Sequence, residues 1–263
     1  MDRDELLHLS DCNLAEYCRE QARYLAPYAI AERPHALFIA SGTRFPTPPA
    51  NCVLPLATVV DADELLNEAR EFFRSRDRGF GVYAPSHTGQ ALAEACAAKN
   101  WPRLSDAPGM VLTERVQPMA AAPGVELRDI RGATEAEHFV AVCSQAYESI
   151  GLPADVSRKL WSNTDRWTQR PYLHGRVVYE HERPVAAALL LFSHGIAGVY
   201  WVGTLPDARG RGHASLLMRS ISNHAFDCGA RCVVLQATPF GEPVYRKLGY
   251  QEFTRYAWYL VAK

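Results

Sequence analysis

The chain has 263 residues, enough for one large domain or two of ordinary size, and its 48% hydrophobic and 22% charged content is globular rather than disordered. A net charge of −1, with Lys and Arg scattered along the chain, leaves no basic footprint for nucleic acid or an anionic membrane. The longest apolar run, 185–192, is too short for a bilayer, the start Met1-Asp2-Arg3-Asp4-Glu5 is acidic where a signal peptide is basic, and seven cysteines without a regular framework read as reduced thiols, so a cytoplasmic protein is expected.

In chain order, 51–57 reads as a strand, 62–74 as a helix, 79–84 as a strand, 90–98 as a helix and 110–116 as a closing strand. Met119-Ala120-Ala121-Ala122-Pro123-Gly124 has the small residues and Pro-Gly step of a linker, which predicts domains 1–120 and 121–263. The second part opens with a strand at 125–130. A helix follows at 133–149, with Phe139, Val142, Cys143 and Ala146 at helical spacing behind Thr134, Glu135 and Glu137. A polar, aromatic stretch at 151–171 holds a helix at 154–162 and a loop. Strands at 176–180 and 185–192 are joined across His181-Glu182-Arg183-Pro184. Next come a strand at 197–205, a helix at 212–227, a short buried strand at 231–237, a short helix at 242–248 and a final strand at 250–261. An antiparallel run followed by strand–helix–strand–helix–strand predicts an α/β (α+β) fold, a mixed sheet with helices on both faces. The order and lengths in 51–116 echo those in 197–261, which points to an internal duplication.

His224, Cys228 and Cys232 recur at intervals of four, but no second ligand pair lies nearby. The expectation is no metal, with Cys228 packed inward and Cys232 opening a buried strand. The segment with chemical content is Arg209-Gly210-Arg211-Gly212-His213-Ala214, between a strand ended by Pro206 and an amphipathic helix. Gly210 and Gly212 let backbone N–H groups approach a ligand, and the first helical turn presents unpaired donors at the positive end of its dipole. Such a turn suits a diphosphate, to which Arg209 and Arg211 add charge. No Gly-x4-Gly-Lys-Ser/Thr is present, and the third glycine of a dinucleotide fingerprint would fall on Ser215.

Arg209-x-x-Gly212-x-Ala214 resembles the Q/R-x-x-G-x-G/A loop of the GNAT superfamily of N-acetyltransferases. Thr204-Leu205-Pro206-Asp207 resembles the strand end that leads into it, and Val244-Tyr245-Arg246-Lys247-Leu248-Gly249-Tyr250 resembles the family's LYxxLGF segment. The resemblance spans 125–261, and the first half resembles a degenerate copy, giving two GNAT-like domains, each a mixed, mostly antiparallel sheet flanked by helices. It implies transfer of an acetyl group from acetyl-CoA to a primary amine by direct attack in a ternary complex. The alternative is a non-catalytic acyl-CoA-binding sensor or regulatory module.

The resemblance further implies that acetyl-CoA lies between strands 197–205 and 231–237. Its pantetheine amides would pair near Val202 and Thr204, and its diphosphate would meet Arg209, Gly210, Arg211, Gly212, His213, Ala214 and Ser215. An oxyanion would sit on a backbone N–H of the first of those strands. Tyr245 falls on the family's tyrosine, the general acid for the departing thiolate and a cofactor neighbour. Two departures stand out. Thr238 replaces the Asn seven residues before that tyrosine, leaving one pantetheine or water contact open, and Gly198 replaces a basic-acting Glu. The base is therefore unassigned among Tyr200, which could orient a water, Glu148 and His174.

The first-half counterpart of the loop, 57–64, lacks Gly and Arg and is acidic, and the tyrosine's counterpart is Cys96. That half is expected to bind no CoA. Trp161, Trp167, Tyr172 and His174 form either an aromatic wall for the acceptor or a cap on the core. The expected partner is a small-molecule or peptide amine, with no nucleic acid and no membrane, and a homodimer stays open. The absence of acidic clustering argues against polycationic acceptors.

Overall fold

The structure is a computed structural model that describes residues 1–58 and 61–263. Val59 and Val60, inside the first-half loop 57–64, lie outside the described residues. The chain begins with α1 (Arg3–Tyr24), β1 (Ala29–Glu32), β2 (Ala36–Ala40), β3 (Asn51–Pro55), α2 (Ala62–Arg74), β4 (Phe80–Pro85), α3 (Gln90–Ala98) and β5 (Arg103–Leu112). It continues through β6 (Val125–Asp129), α4 (Ala133–Glu148), α5 (Ala154–Trp161), α6 (Thr164–Thr168), β7 (Leu173–Glu180), β8 (Arg183–Ser193) and β9 (Ile196–Thr204). A 3-10 turn at Pro206–Ala208 leads to α7 (His213–Asp227), β10 (Val233–Gln236), α8 (Glu242–Lys247) and β11 (Gln251–Val261). Among the described residues no helix is long and apolar enough to cross a membrane.

Two compact units result: Met1–Gly109 together with Glu252–Lys263, and Met110–Gln251. The boundary expected at 120/121 is thus displaced. The backbone around Val116 is not a free linker, because Asn223 of α7 both donates to Val116 O (2.8 Å) and accepts from its N–H (3.0 Å), and Arg219 donates to Gln117 O (2.7 Å). The closing strand expected at 110–116 is instead Arg103–Leu112 for the same reason.

In the first unit the strand order is β1-β2-β3-β4-β11-β5. β1, β2 and β3 pair antiparallel, and β3 and β4 pair in parallel through Cys52↔Gly81 and Val53↔Val82. The last strand of the sequence, β11, lies antiparallel to β4 from Tyr256↔Pro85 to Val261↔Phe80. Asp61 caps α2 by accepting from Glu64 N–H (2.9 Å), and the helix buries Leu65, Leu66, Ala69, Phe72 and Phe73, one apolar stripe at helical spacing. Phe73 stacks on Phe80 of β4 at 4.3 Å, so the stripe closes directly on the sheet.

In the second unit β10, β9, β8, β7 and β6 are neighbours in that order. β6 to β9 are antiparallel in turn, and β10 is parallel to β9, so this unit too has a mixed, mostly antiparallel sheet. Residues 185–191 of β8 are all buried, the unbroken apolar run required of a strand covered on both faces. Side chains alternate along β7, so His174 and Arg176 reach α7, at His224 and Ser220, while the Tyr179 hydroxyl meets His138 of α4 at 2.8 Å. Helices α4 and α7 therefore cover opposite faces. The turn between β7 and β8 is tighter than expected: His181 and Glu182 alone span it, both at positive φ (48° and 65°).

Candidate acyl-transfer site

The site begins where β9 and β10 part. Their parallel ladder consists of Ala197↔Val233 and Gly198↔Val234, after which β9 runs on to Thr204 and β10 to Gln236. Midway along that free stretch β9 is bulged. Leu189 of β8 faces Tyr200 and Ala187 faces Gly203, so Trp201 and Val202 have no counterpart in the β8 ladder. Trp201 sits at φ +54°, a left-handed conformation that a bulky residue holds only when its surroundings enforce it. The enforcement comes from α4 and α5. The Cys143 thiol donates to Trp201 O at 3.3 Å, Tyr147 lies 4.7 Å from the Trp201 ring, and Trp161 meets that ring edge-on at 5.5 Å. A Cβ at Gly203 would stand 3.0 Å from Ala146 Cβ, so glycine is what lets α4 sit this close. None of this was read from the sequence, because Trp201 and Cys143 look like ordinary core positions.

Beyond the bulge comes the glycine loop. Gly210 (φ +77°) and Gly212 (φ +85°) adopt left-handed backbone, and no atom lies within 4 Å of where a Gly210 Cβ would be, so the loop is open above. Gly212 caps α7 with no side chain bonded to the helix end. Leu216 N–H is bonded back to Gly212 O, which leaves the amides of His213, Ala214 and Ser215 as end-of-helix donors. The two arginines expected to add charge have local partners. Arg209 donates to Thr204 O (3.3 Å), Ala146 O (3.4 Å) and Ser149 Oγ (2.7 Å) and lies over the exposed Phe240 ring, tying the loop to the C-terminus of α4. Arg211 is paired with Glu180 of β7 at 2.8 Å. His213 is buried beneath the loop, with Nε2 3.7 Å from Glu180 and bonded to nothing. Burial pushes its pKa down, with Glu180 opposing and Arg211 adding to the shift.

Tyr245, on α8, is buried, and burial raises its phenol well above the ordinary value. Tyr147 is raised in the same way, with smaller contributions from Cys143 and from Tyr245, so α4 brings a second phenol to the bulge. Thr238 uses its hydroxyl to accept from Gly241 N–H (3.2 Å) and its carbonyl to accept from Glu242 N–H (2.9 Å), which launches α8. Val202 and Thr204 are half-buried on β9, and Tyr200 is buried there. Glu148 ends α4 and is exposed, next in sequence to Tyr147.

The structure does not bring His174 to this group. Its Nε2 meets Pro171 O (3.0 Å), its Nδ1 meets His224 (3.1 Å), and it stands on the α7 face. Trp161 and Trp167 are each 1% exposed and pack edge-on at 5.3 Å, so they are core. Cys232 is buried as expected, but Cys228 is exposed beside His224, and no described group of His, Cys, Asp and Glu is arranged to hold a metal. In the first unit, the Tyr245 counterpart Cys96 is a buried thiol whose pKa is pushed up to about 12 by burial.

The acetyltransferase (GNAT) family model matches residues 143–250. A GCN5-related N-acetyltransferase from Kribbella flavida is similar over 95% of both chains, with TM-score 0.70 and 19% identity. Another from Sphaerobacter thermophilus has TM-score 0.64 and 14% identity over 87% of this chain and 80% of its own. A conserved protein of unknown function from Staphylococcus epidermidis has TM-score 0.64 and 12% identity over 89% and 93%. At these identities the structural likeness speaks to fold. No curated protein matches the sequence. The opening, the bulge and the glycine loop all lie within residues 143–250, the part of the chain that matches the acetyltransferase (GNAT) family model.

Proposed function

We propose that the second unit is an acetyl-CoA-dependent N-acetyltransferase acting on a primary amine. The observation that carries this reading is the divergence of β9 from β10, ending in an open, uncapped helix start. Three amide donors, two left-handed glycines and the helix dipole fit a diphosphate. Amides around Val202 and Thr204, beside the bulge, fit an extended amide-bearing arm. The coenzyme would supply an acyl thioester, whose C–S bond breaks as a C–N bond to the amine forms.

The remaining chemistry belongs to this chain. A backbone N–H of β9 would donate to the carbonyl oxygen as it gains charge. Tyr245 holds its proton at neutral pH, because a phenol with its ordinary pKa of about 10 is already protonated and burial strengthens that hold, so it carries a proton that the departing sulfur can take as negative charge develops there. For removing the amine's proton the candidates remain Tyr200, which could orient a water, and Glu148. The first unit is proposed to bind no coenzyme: the start of α2 is already capped by Asp61, with Asp63 and Glu64 beside it.

Titration calorimetry of the full chain with acetyl-CoA tests the binding. Gly212→Val should weaken affinity by about tenfold or more, because a branched side chain at positive φ costs about 1–2 kcal/mol and crowds the amides. Equal affinity of wild type and variant would rule out the loop as the diphosphate site. Thiol release in an amine library then separates a catalyst from a sensor, which binds without turnover.

A further inference from the structure

His213 presents an unusual arrangement for a buried polar group. His213 is 4% exposed, its Nε2 has no hydrogen-bond partner, and Glu180 Oε1 lies 3.7 Å off, beyond hydrogen-bond reach. Buried polar atoms are nearly always paired, so an orphan inside a binding loop calls for a partner that arrives in another state. The partner is visible. Glu180 is only part-exposed, and its carboxylate is held by Arg211 through the other oxygen, at 2.8 Å. Arg211 and His213 flank Gly212 at the start of α7, and Glu180 lies beside both.

Charge makes this arrangement unsettled once a dianion approaches. Arg211 and Glu180 cancel, so this part of the loop offers no net charge while the ion pair lasts. The adjacent pair Arg183–Asp207, at 2.7 Å, is likewise neutral. A diphosphate at the α7 amides competes with Glu180 for Arg211, whose guanidinium can form a bidentate pair with either. If Arg211 leaves, Glu180 loses its ion-pair partner and keeps an imidazole beside it.

Resting on the reading that the loop takes the coenzyme's diphosphate, we infer that Glu180 is a positioning residue of that site: it holds Arg211 until the diphosphate claims it, then accepts a hydrogen bond from His213, which takes up a proton from solvent. The balance is one proton gained by Nε2, none lost elsewhere, and one positive charge added to a site receiving two negative ones. In the free protein burial keeps His213 neutral, which is why it can wait unpaired. Glu180 and Arg211 are the charged groups that act on its ring.

The test is calorimetry on the full chain with 3′-dephospho-coenzyme A, chosen because the 3′-phosphate of the intact coenzyme titrates on its own near about pH 6. Binding enthalpies are compared near about pH 6.5 in buffers of different ionisation heat. The expected result is uptake of up to about one proton per site, with affinity rising as pH falls from about 8, and loss of the uptake in both His213→Gln and Glu180→Gln. Should a variant fail to fold, the wild-type ring is followed directly: the His213 Cε1–H resonance should titrate at higher pH with the ligand present. Binding without proton uptake, or uptake that persists in His213→Gln, overturns this inference alone. No binding at all by wild type overturns the coenzyme reading and the inference with it.

Discussion

Tyr245 and His213 show burial acting in opposite directions on an acid and a base. For Tyr245 the buried phenol stays protonated, which is the state a general acid needs. Tyr245→Phe should therefore lower turnover by about 10²-fold or more with acetyl-CoA affinity changed only a few-fold, measured by thiol release and calorimetry. Unchanged turnover would assign the proton to another group, with Tyr147 the first to examine. For His213 the folded pKa lies below the unfolded value of about 6.5, so the unfolded chain binds more protons in that window. Stability is fully present above about pH 6.5 and declines as pH falls through it. His224, also lowered chiefly by burial, adds to the same slope. Urea denaturation between about pH 5 and 7.5 should show that decline, flattened in part by His213→Gln. These shifts were not legible in the sequence, where a His at a helix start is no different from an exposed one. Arg209 and Arg211 were legible as loop residues, but not the local carbonyls and carboxylate that occupy them.

At the scale of elements, the glycine loop was readable because glycine marks the positions where backbone must turn left-handed, and both Gly210 and Gly212 do. The β9 bulge was not readable. Its left-handed residue is Trp201, held by packing contributed from α4 and α5, far away in sequence. Cys143 is the part of that packing most open to test. Cys143→Val removes the donor to Trp201 O at the cost of a slightly larger side chain, and it should cut turnover by about tenfold or more, one hydrogen bond accounting for about tenfold, while acetyl-CoA affinity stays within a few-fold. Cys143→Ser should retain most of the activity, and a serine variant as impaired as valine would contradict the role given to the thiol. In the first unit a polar chain ties α1 to the β4 end and β11: Asp11 to His87 at 2.7 Å, His87 to Thr254 at 2.8 Å, and Tyr256 to Asp11 at 2.9 Å. Asp11→Ala removes the acceptor of His87 Nε2 and one of the partners of the Tyr256 hydroxyl, and should cost about 1–3 kcal/mol in denaturant unfolding.

At the scale of the molecule, alternation and helical periodicity gave β6 to β11 and α7 within a residue or two of their observed ends, except that β7 and β8 start earlier than expected. Period says what a segment is, not which neighbour it pairs with. That is why β11 read as the closing strand of the second half, whereas it is part of the first unit, against β4. The duplicated pattern has a geometric counterpart: β3 and β4 share a two-pair parallel ladder, as β9 and β10 do. A fragment of residues 1–120 consequently lacks one strand of its own sheet, and by circular dichroism it should be largely unfolded, gaining structure when the peptide 251–263 is added. The proposed coenzyme site is built around the start of α7. Backbone amide NMR of the full chain during titration with acetyl-CoA reads that place directly. The prediction is that His213, Ala214 and Ser215 show the largest shifts and move together with Val202 and Thr204. Saturable binding that leaves those amides unmoved would contradict it.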